Sequence, residues 1–351
     1  MKLAAICFTN NGIKVIKRLG ALSLFREDNL TLYSKCSYAE DAVGINAVSE
    51  SLNDWTSKNF YENDALIFVG ATGIAVRAIS PFVKDKLNDI PVIVIDENAS
   101  FVIPILSGHM GGANELSTKL ANELNAEAII TTATDINGKF AVDVFAKKNS
   151  LFIENRDGIK EVSAKILTGE EILLSAPDGK IDESKLPEGI KMAEYPPYKA
   201  DILISDNKAY NRAKIVLRPR EYILGIGCRK DKEFEEIIDF LTECLNEEGI
   251  EFSDLYAIAS IDLKKDEEAL NMLSRYLKIP FVTFTADELN AVKGNFSSSD
   301  FVKETTGVDN ICERAAVLLA GEGGKLYFKK KAGNGVTVAF ARREWKIDYY
   351  E

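Results

Sequence analysis

The chain has 351 residues, 46% of them hydrophobic and 28% charged, the balance of a folded protein with a core and too long for one small domain. Its 43 basic and 54 acidic residues leave a formal net charge of -11. That charge excludes nonspecific nucleic-acid binding, which needs a net basic stripe to displace counterions.

Residues 1–140 read as strands alternating with helices. KLAAICF is a short apolar strand, NGIKVIKRLGAL a helix, DALIFVG a strand and IAVRAISPFV a helix. PVIVIDE and FVIPIL are strands, ANELSTKLANEL is a helix and EAIITTAT a strand. In that last helix Ala113, Leu116, Leu120 and Leu124 fall on one face. Short Val/Ile runs between helices predict a mostly parallel sheet covered on both faces.

Residues 141–220 read as a small α+β middle domain. GIKEVSAKILTGEEILLSA predicts a helix and a strand, PDGKIDESKLPEGIKMAEYPPYK a charged surface loop with room for one short strand, and ADILISD and AKIVLRPR two strands. Residues 221–351 return to the α/β pattern. YILGIGC is a strand, and the helix after it aligns Phe234, Ile237, Ile238, Leu241 and Leu245 in one stripe. LYAIASI and PFVTFT are strands around the helix DEEALNMLSRYL. Thr285 and Glu288 form a capping box for ADELNAV, and Gly321 ends the helix GVDNICERAAVLLAG. KLYFKKKAGNGVTVAFARR is a closing β-hairpin.

Three loops follow strands and open helices: VGATGIAVR with Gly70, Thr72, Gly73 and Arg77; LSGHMGGAN with Ser107, Gly108, His109, Gly111, Gly112 and Asn114; and GIGCRK with Gly227, Arg229 and Lys230. Each places backbone N–H groups at a helix N-terminus, where phosphate or carboxylate is favoured. The bland alternative is that the glycines only allow sharp turns. None matches the Walker pattern or G-x-G-x-x-G, so a nucleotide is poorly supported. No G-x-S-x-G elbow is present either.

His109 is the only histidine, and an imidazole suits general-base chemistry near neutral pH. Asp96 and Glu97 end a strand and are candidates to orient it or to act as acid or base; Asp135 and Asn137 end the next. The oxyanion donors would be the amides of Gly111 and Gly112, with Thr72 from the neighbouring loop. Cations at Arg229 and Lys230 oppose the helix dipole and so point to an anionic ligand there.

Five scattered cysteines without a C-x-x-C pair, and one histidine, make a protein metal site of usual spacing very improbable. They suit small apolar roles in a reducing cytoplasm. Met1–Gly12 lacks the apolar stretch of a signal peptide, no run is long enough to span a membrane, and a cytoplasmic location is expected.

GATGIAVRAISPFVKDK, ILSGHMGGANELS, GIGCRK, ASIDLKKDE, PFVTFTADELN and TGVDNICERAA, in this order, resemble the cobalt-precorrin 5A hydrolases of anaerobic cobalamin (vitamin B12) biosynthesis. The likeness runs from about residue 45 to 342; Asp231, where a small residue is more usual, is a departure. The resemblance implies an N-terminal α/β domain, a middle domain and a C-terminal α/β domain. It implies opening of the δ-lactone of a cobalt corrinoid with release of acetaldehyde. It implies no protein cofactor, the cobalt arriving inside the substrate, and no nucleic-acid or membrane partner. A homo-oligomer or transient contact with neighbouring pathway enzymes remains open. A noncatalytic corrinoid carrier is the competing expectation.

Overall fold

The computed structural model describes residues 1–25, 29–36, 43–84, 89–108, 111–132 and 139–348. The chain divides into two compact units, Met1–Val144 and Phe145–Glu351. Among the described residues the first unit holds one sheet and the second holds two, so the architecture is α/β in three parallel-rich parts.

In the first unit the elements are β1 (Lys2–Cys7), α1 (Asn10–Gly20), β2 (Asn29–Ser34), β3 (Asn46–Ala47), α2 (Leu52–Glu62), β4 (Ala65–Val69), α3 (Thr72–Ile79), β5 (Val92–Ile95), β6 (Phe101–Leu106), α4 (Ala113–Leu124) and β7 (Glu127–Ala128). The strand order is β3-β2-β1-β4-β5-β6-β7. Alternation along β1 divides the core. Leu3, Ala5 and Cys7 face one layer with α1 and α4, while Ala4 and Ile6 face the other with Trp55, Phe60 and Ile79. Both faces are apolar because helices cover both.

All neighbouring strands here are parallel except β5 and β6, which pair antiparallel from Ile95↔Val102 to Val92↔Leu106. Only five residues, 96–100, join these two strands. A parallel crossover needs a dozen or more, so the chain must turn back on itself. Asp96 builds the turn: its carboxylate accepts from the amides of Asn98 at 3.0 Å, Ser100 at 2.7 Å and Phe101 at 2.6 Å. The strand expected at EAIITTAT contracts to β7; Asp135 and Asn137 lie outside the described residues.

Helix α5 (Val142–Lys148) leads into β8 (Leu151–Ile153), α6 (Asp157–Thr168), β9 (Ile172–Ser175), β10 (Ile190–Met192), β11 (Ala200–Ile204) and β12 (Ala213–Pro219). These strands form the order β10-β9-β11-β12-β8, with β8 antiparallel. Asp201 on β11 staples this sheet. Although burial opposes its charge, the Leu173 amide at 2.9 Å, Lys165 at 3.0 Å and Lys214 at 3.1 Å hold its carboxyl below the usual range. A folded-state pKa below the unfolded one stabilises above the unfolded value and is lost as pH falls. Asp201→Asn is therefore expected to cost about 2 kcal/mol at pH 7 and progressively less as pH falls below the usual carboxylate range and through the folded-state pKa, read from urea unfolding along that pH series.

The remaining elements are β13 (Tyr222–Cys228), α7 (Phe234–Glu248), β14 (Leu255–Ile261), α8 (Glu268–Leu277), β15 (Phe281–Phe284), α9 (Ala286–Ala291), α10 (Asp300–Thr306), α11 (Cys312–Ala320), β16 (Lys325–Gly333) and β17 (Val336–Arg342). Their sheet runs β15-β14-β13-β17-β16. The closing hairpin turns at Asn334 and Gly335, with φ of 50° and 76°, the left-handed pair that a two-residue turn requires. The capping box forms: the Thr285 hydroxyl accepts from the Glu288 amide, and Glu288 accepts from the Thr285 amide at 2.7 Å. Glu313 on α11 is fully buried and accepts from the Ser297 amide, the Ser297 hydroxyl and the Lys330 amide at 2.7–2.8 Å. It ties the segment before α10 to β16.

Candidate functional site

The expected site residues of the first unit separate onto two edges of one sheet, because β6 is antiparallel. The first edge lies at the carboxyl ends of β1, β4 and β5. The chain leaves β1 for β2 on one side and later returns to β4 on the other, so the strand order reverses between β1 and β4. Open α/β sheets bind ligands in the crevice at such a switch point.

Gly70 crosses this crevice with φ 151°, its amide donating to Ile95 O at 2.9 Å. A Cβ there would stand 3.2 Å from the Phe8 ring, so the β4–α3 loop closes against the β1–α1 loop. Ala71, at the N-cap of α3, has no side chain to cap the helix. The amides of Thr72 and Gly73 thus begin a helix whose positive end is open. Arg77 folds back over that turn, its Nη1 3.4 Å from where a Gly73 Cβ would be. Among the described residues the Arg77 guanidinium has neither a hydrogen-bond nor an ion-pair partner, and the residue is exposed. An unpaired guanidinium beside an uncapped helix start favours a carboxylate or an oxyanion.

Glu97 stands at the same edge. Its Oε1 accepts from the Thr9 hydroxyl at 2.8 Å, and that hydroxyl accepts from the Gly12 amide at 3.1 Å to cap α1. Thr9 therefore fixes one carboxylate oxygen and leaves the other available to take a proton. Thr9 and Phe8 were not among the expected site residues. The signal was CFTNNG, a fourth strand–polar turn–helix junction carrying a helix-capping threonine.

The second edge holds the carboxyl end of β6. The Ser107 hydroxyl donates to Asp89 O at 2.6 Å, and Asn114 Nδ2 donates to Thr132 Oγ1 at 3.1 Å, joining the ends of β6 and β7. The amides of Ala113 and Asn114 donate to Ser107 O at 3.2 Å and Gly108 O at 2.9 Å. The loop thus uses the first donors of α4 for itself. A Cβ on Gly108 would press on the Asn114 side chain, and one on Gly111 would overlap the Ser107 backbone. Gly112 has φ 89°. Close approach accounts for the glycines at 108 and 111, and left-handed backbone for the one at 112. His109 lies outside the described residues.

Asp96 forms the β5–β6 turn through both oxygens. Neither Asp96 nor Glu97 shares an edge with Ser107, Gly108 or Asn114, and Thr72 does not share one with Gly111 and Gly112. The four-residue strand β5 alone sets these edges about 13 Å apart, at about 3.3 Å per residue, whereas a hydrogen bond spans about 3 Å.

In the second unit Gly227, Arg229 and Lys230 also divide. The Thr337 hydroxyl donates to Gly227 O at 3.2 Å, and a Gly227 Cβ would stand 2.8 Å from that hydroxyl. The Arg229 amide donates to Gly335 O at 2.9 Å, and its side chain lies along Gly335 at the hairpin turn. Lys230 instead lines a cavity of 790 Å³ between the loops after β13 and β14. That lining has six acids against three lysines, and Lys264 is already paired with Glu267 at 2.6 Å. Both side chains are exposed, Arg229 along the hairpin turn and Lys230 at the acidic cavity. Burial pushes the Cys228 thiol up to about 11, which leaves no thiolate nucleophile there at neutral pH.

The chain is 33% identical over 346 residues to cobalt-precorrin-5A hydrolase of Salmonella typhimurium, covering 96% of each sequence. The chain belongs to the cobalt-precorrin-5A hydrolase family. A second member of that family, the cobalt-precorrin-5A hydrolase of Priestia megaterium, is 31% identical over 96% of this chain and 94% of its own. Family models match in three successive stretches: cobalamin synthesis G N-terminal at residues 54–135, cobalamin biosynthesis central region at 140–219 and cobalamin synthesis G C-terminus at 222–341. A solved cobalamin biosynthesis protein G homolog from Sulfolobus solfataricus is 22% identical over 98% of this chain and 97% of that chain, with a TM-score of 0.38. Among the described residues no helix is long and apolar enough to cross a membrane.

Proposed function

We propose that the chain hydrolyses the δ-lactone of cobalt-precorrin 5A and releases acetaldehyde to give cobalt-precorrin 5B, in anaerobic cobalamin biosynthesis. The observation that carries a site for this reaction is the pairing, at one switch point, of a carboxylate fixed by Thr9 with an open helix start flanked by unpaired Arg77. Glu97 takes a proton from the attacking water as its oxygen bonds to the lactone carbonyl carbon. The amides of Thr72 and Gly73 hold the oxyanion that forms. Collapse breaks the acyl C–O bond and leaves a carboxylate and an alcohol, and Arg77 holds the carboxylate. Glu97, having passed its first proton to solvent, takes the alcohol proton as the neighbouring carbon–carbon bond breaks. Acetaldehyde departs and the electron pair passes into the conjugated macrocycle. The cobalt belongs to the substrate, and no protein cofactor is called for.

Arg77→Gln is expected to raise KM for the corrinoid about tenfold with kcat little changed, measured by anaerobic steady-state assay with trapped acetaldehyde. An unchanged KM would remove Arg77 from the site.

A second reading keeps His109 as the base, because the Asn114–Thr132 hydrogen bond draws the ends of β6 and β7 into one polar edge. His109→Gln discriminates. Retention of single-turnover acetaldehyde release within about threefold favours Glu97, while a loss of about 100-fold or more moves the chemistry to the other edge. A noncatalytic corrinoid carrier would release no acetaldehyde even as wild type.

A further inference from the structure

The stretch EYPPYK carries no motif of known chemistry in the sequence, yet it lines a built cleft. Residues 194 and 196–198 form one wall of a 510 Å³ cleft, and residues 209–212 form the other. The two walls are the β10–β11 and β11–β12 connections, which flank the fully buried strand β11.

Both walls are pinned from below. Arg218, 5% exposed, donates Nη1 to Ser205 O at 3.1 Å and Asn207 O at 2.9 Å, and Nη2 to Tyr210 O at 2.9 Å. Its Nε pairs with Glu154 at 2.7 Å. The opposite wall is held where Glu194 O accepts from the Ser175 hydroxyl at 2.7 Å. Tyr195 bridges the two, its hydroxyl 2.8 Å from Ser205 Oγ and its ring edge-on to Tyr210 at 5.6 Å.

On this rigid frame the surface groups are left unused. Tyr198 is 89% exposed, a large apolar ring facing water. Arg212 is exposed and, among the described residues, has no hydrogen-bond or ion-pair partner. Pro196 and Pro197 add apolar surface that loses little freedom on binding. Glu194 is the one acid of the lining, on the wall opposite Arg212, so the two walls differ in charge. Preorganised apolar and aromatic surface with one free guanidinium suits a flat apolar body carrying an anionic arm.

We propose that this cleft binds the rim of a carboxylate-bearing corrinoid, with Tyr198 and Pro196 against the macrocycle's flank and Arg212 on one acidic side arm. The corrinoid identity rests on the proposed function; the shape and charge of the cleft do not. Glu194 sets the orientation by repelling a second acidic arm from its own wall.

Dicyanocobyrinic acid, with free carboxylates, and dicyanocobinamide, with amides in their place, serve as stable probes for titration of the full-length protein. Arg212→Gln is expected to weaken cobyrinic acid binding about tenfold and cobinamide binding less than about twofold. Tyr198→Ala is expected to weaken both about fivefold, with circular dichroism unchanged. Affinities for cobyrinic acid that agree within about twofold among wild type and both variants would overturn the proposal. Acetaldehyde release by the wild type is scored separately. Release with unaltered binding sinks the cleft alone. An Arg212-dependent affinity without release supports the cleft and sinks the hydrolase reading.

Discussion

Glu97→Gln is expected to lower acetaldehyde release by about 10²–10⁴-fold while leaving corrinoid affinity within a few-fold of wild type. Glutamine keeps the size of the side chain and can still accept from the Thr9 hydroxyl, so the crevice keeps its shape. What it loses is the free oxygen able to take a proton from water. The measurement is single-turnover acetaldehyde formation under anaerobic conditions, beside a binding titration. Full activity in a folded variant would sink the assignment of the base. Thr9→Val supplies the graded companion. It keeps the carboxylate but frees it from its donor and uncaps α1, so a smaller loss of about tenfold and a modest drop in stability are expected together.

Gly225→Ala is expected to destabilise the second unit by more than about 3 kcal/mol, or to prevent its accumulation as folded protein. Gly225 lies in the middle of β13, where α11 crosses so closely that a Cβ would overlap the Cys312 carbonyl oxygen and stand 2.9 Å from Ala316 Cβ. Neither neighbour can move cheaply: one is backbone, and the other packs in a core that includes Ile223, Ala257 and Ala259. Gly249 is the control. It caps α7 with φ 65° and has nothing within 4 Å of a new Cβ, so Gly249→Ala is expected to cost only about 1 kcal/mol through backbone strain. Urea midpoints of the two variants give the comparison. Equal midpoints would mean that α11 can move away from the sheet.

Most regular elements were legible because their side chains repeat. The five-residue stripe of α7, the Val/Ile runs of β4 and β5, and the hairpin turn at Asn334–Gly335 each follow from local spacing. Three elements of the first unit escaped: β2, the two-residue β3 and α2. NLTLYS alternates polar with apolar residues and is only partly buried, so β2 shows no apolar run. Helix α2 buries Trp55 and Phe60 beside the polar Thr56 and Asn59, which donate to backbone carbonyls, so its apolar stripe is faint. Without β2 the reversal of strand order at β1 could not be seen, and so Thr9 went unnoticed beside Gly70.

The candidate site shows the same division. Gly70, Thr72, Gly73, Arg77 and Glu97 were legible as residue types at strand ends, since glycine, small hydroxyls and charges after an apolar run mark such loops. Their grouping was not. VIDENAS reads as the end of one strand, yet the shortness of the link to FVIPIL was itself the clue that β6 must run backwards.

The order of motifs along the amino-acid sequence carried the family resemblance, while composition and periodicities of two and 3.6 residues carried the α/β plan and the chemical groups available. Only the tertiary structure decided which of those groups meet. One antiparallel strand sends Ser107, Gly108 and Gly111–Asn114 to the edge opposite Glu97, and a buried arginine makes the loop facing the prolines into a cleft wall. Both outcomes rest on hydrogen bonds between residues distant in the chain or on strand direction, and neither leaves a repeat in the sequence that local reading can detect.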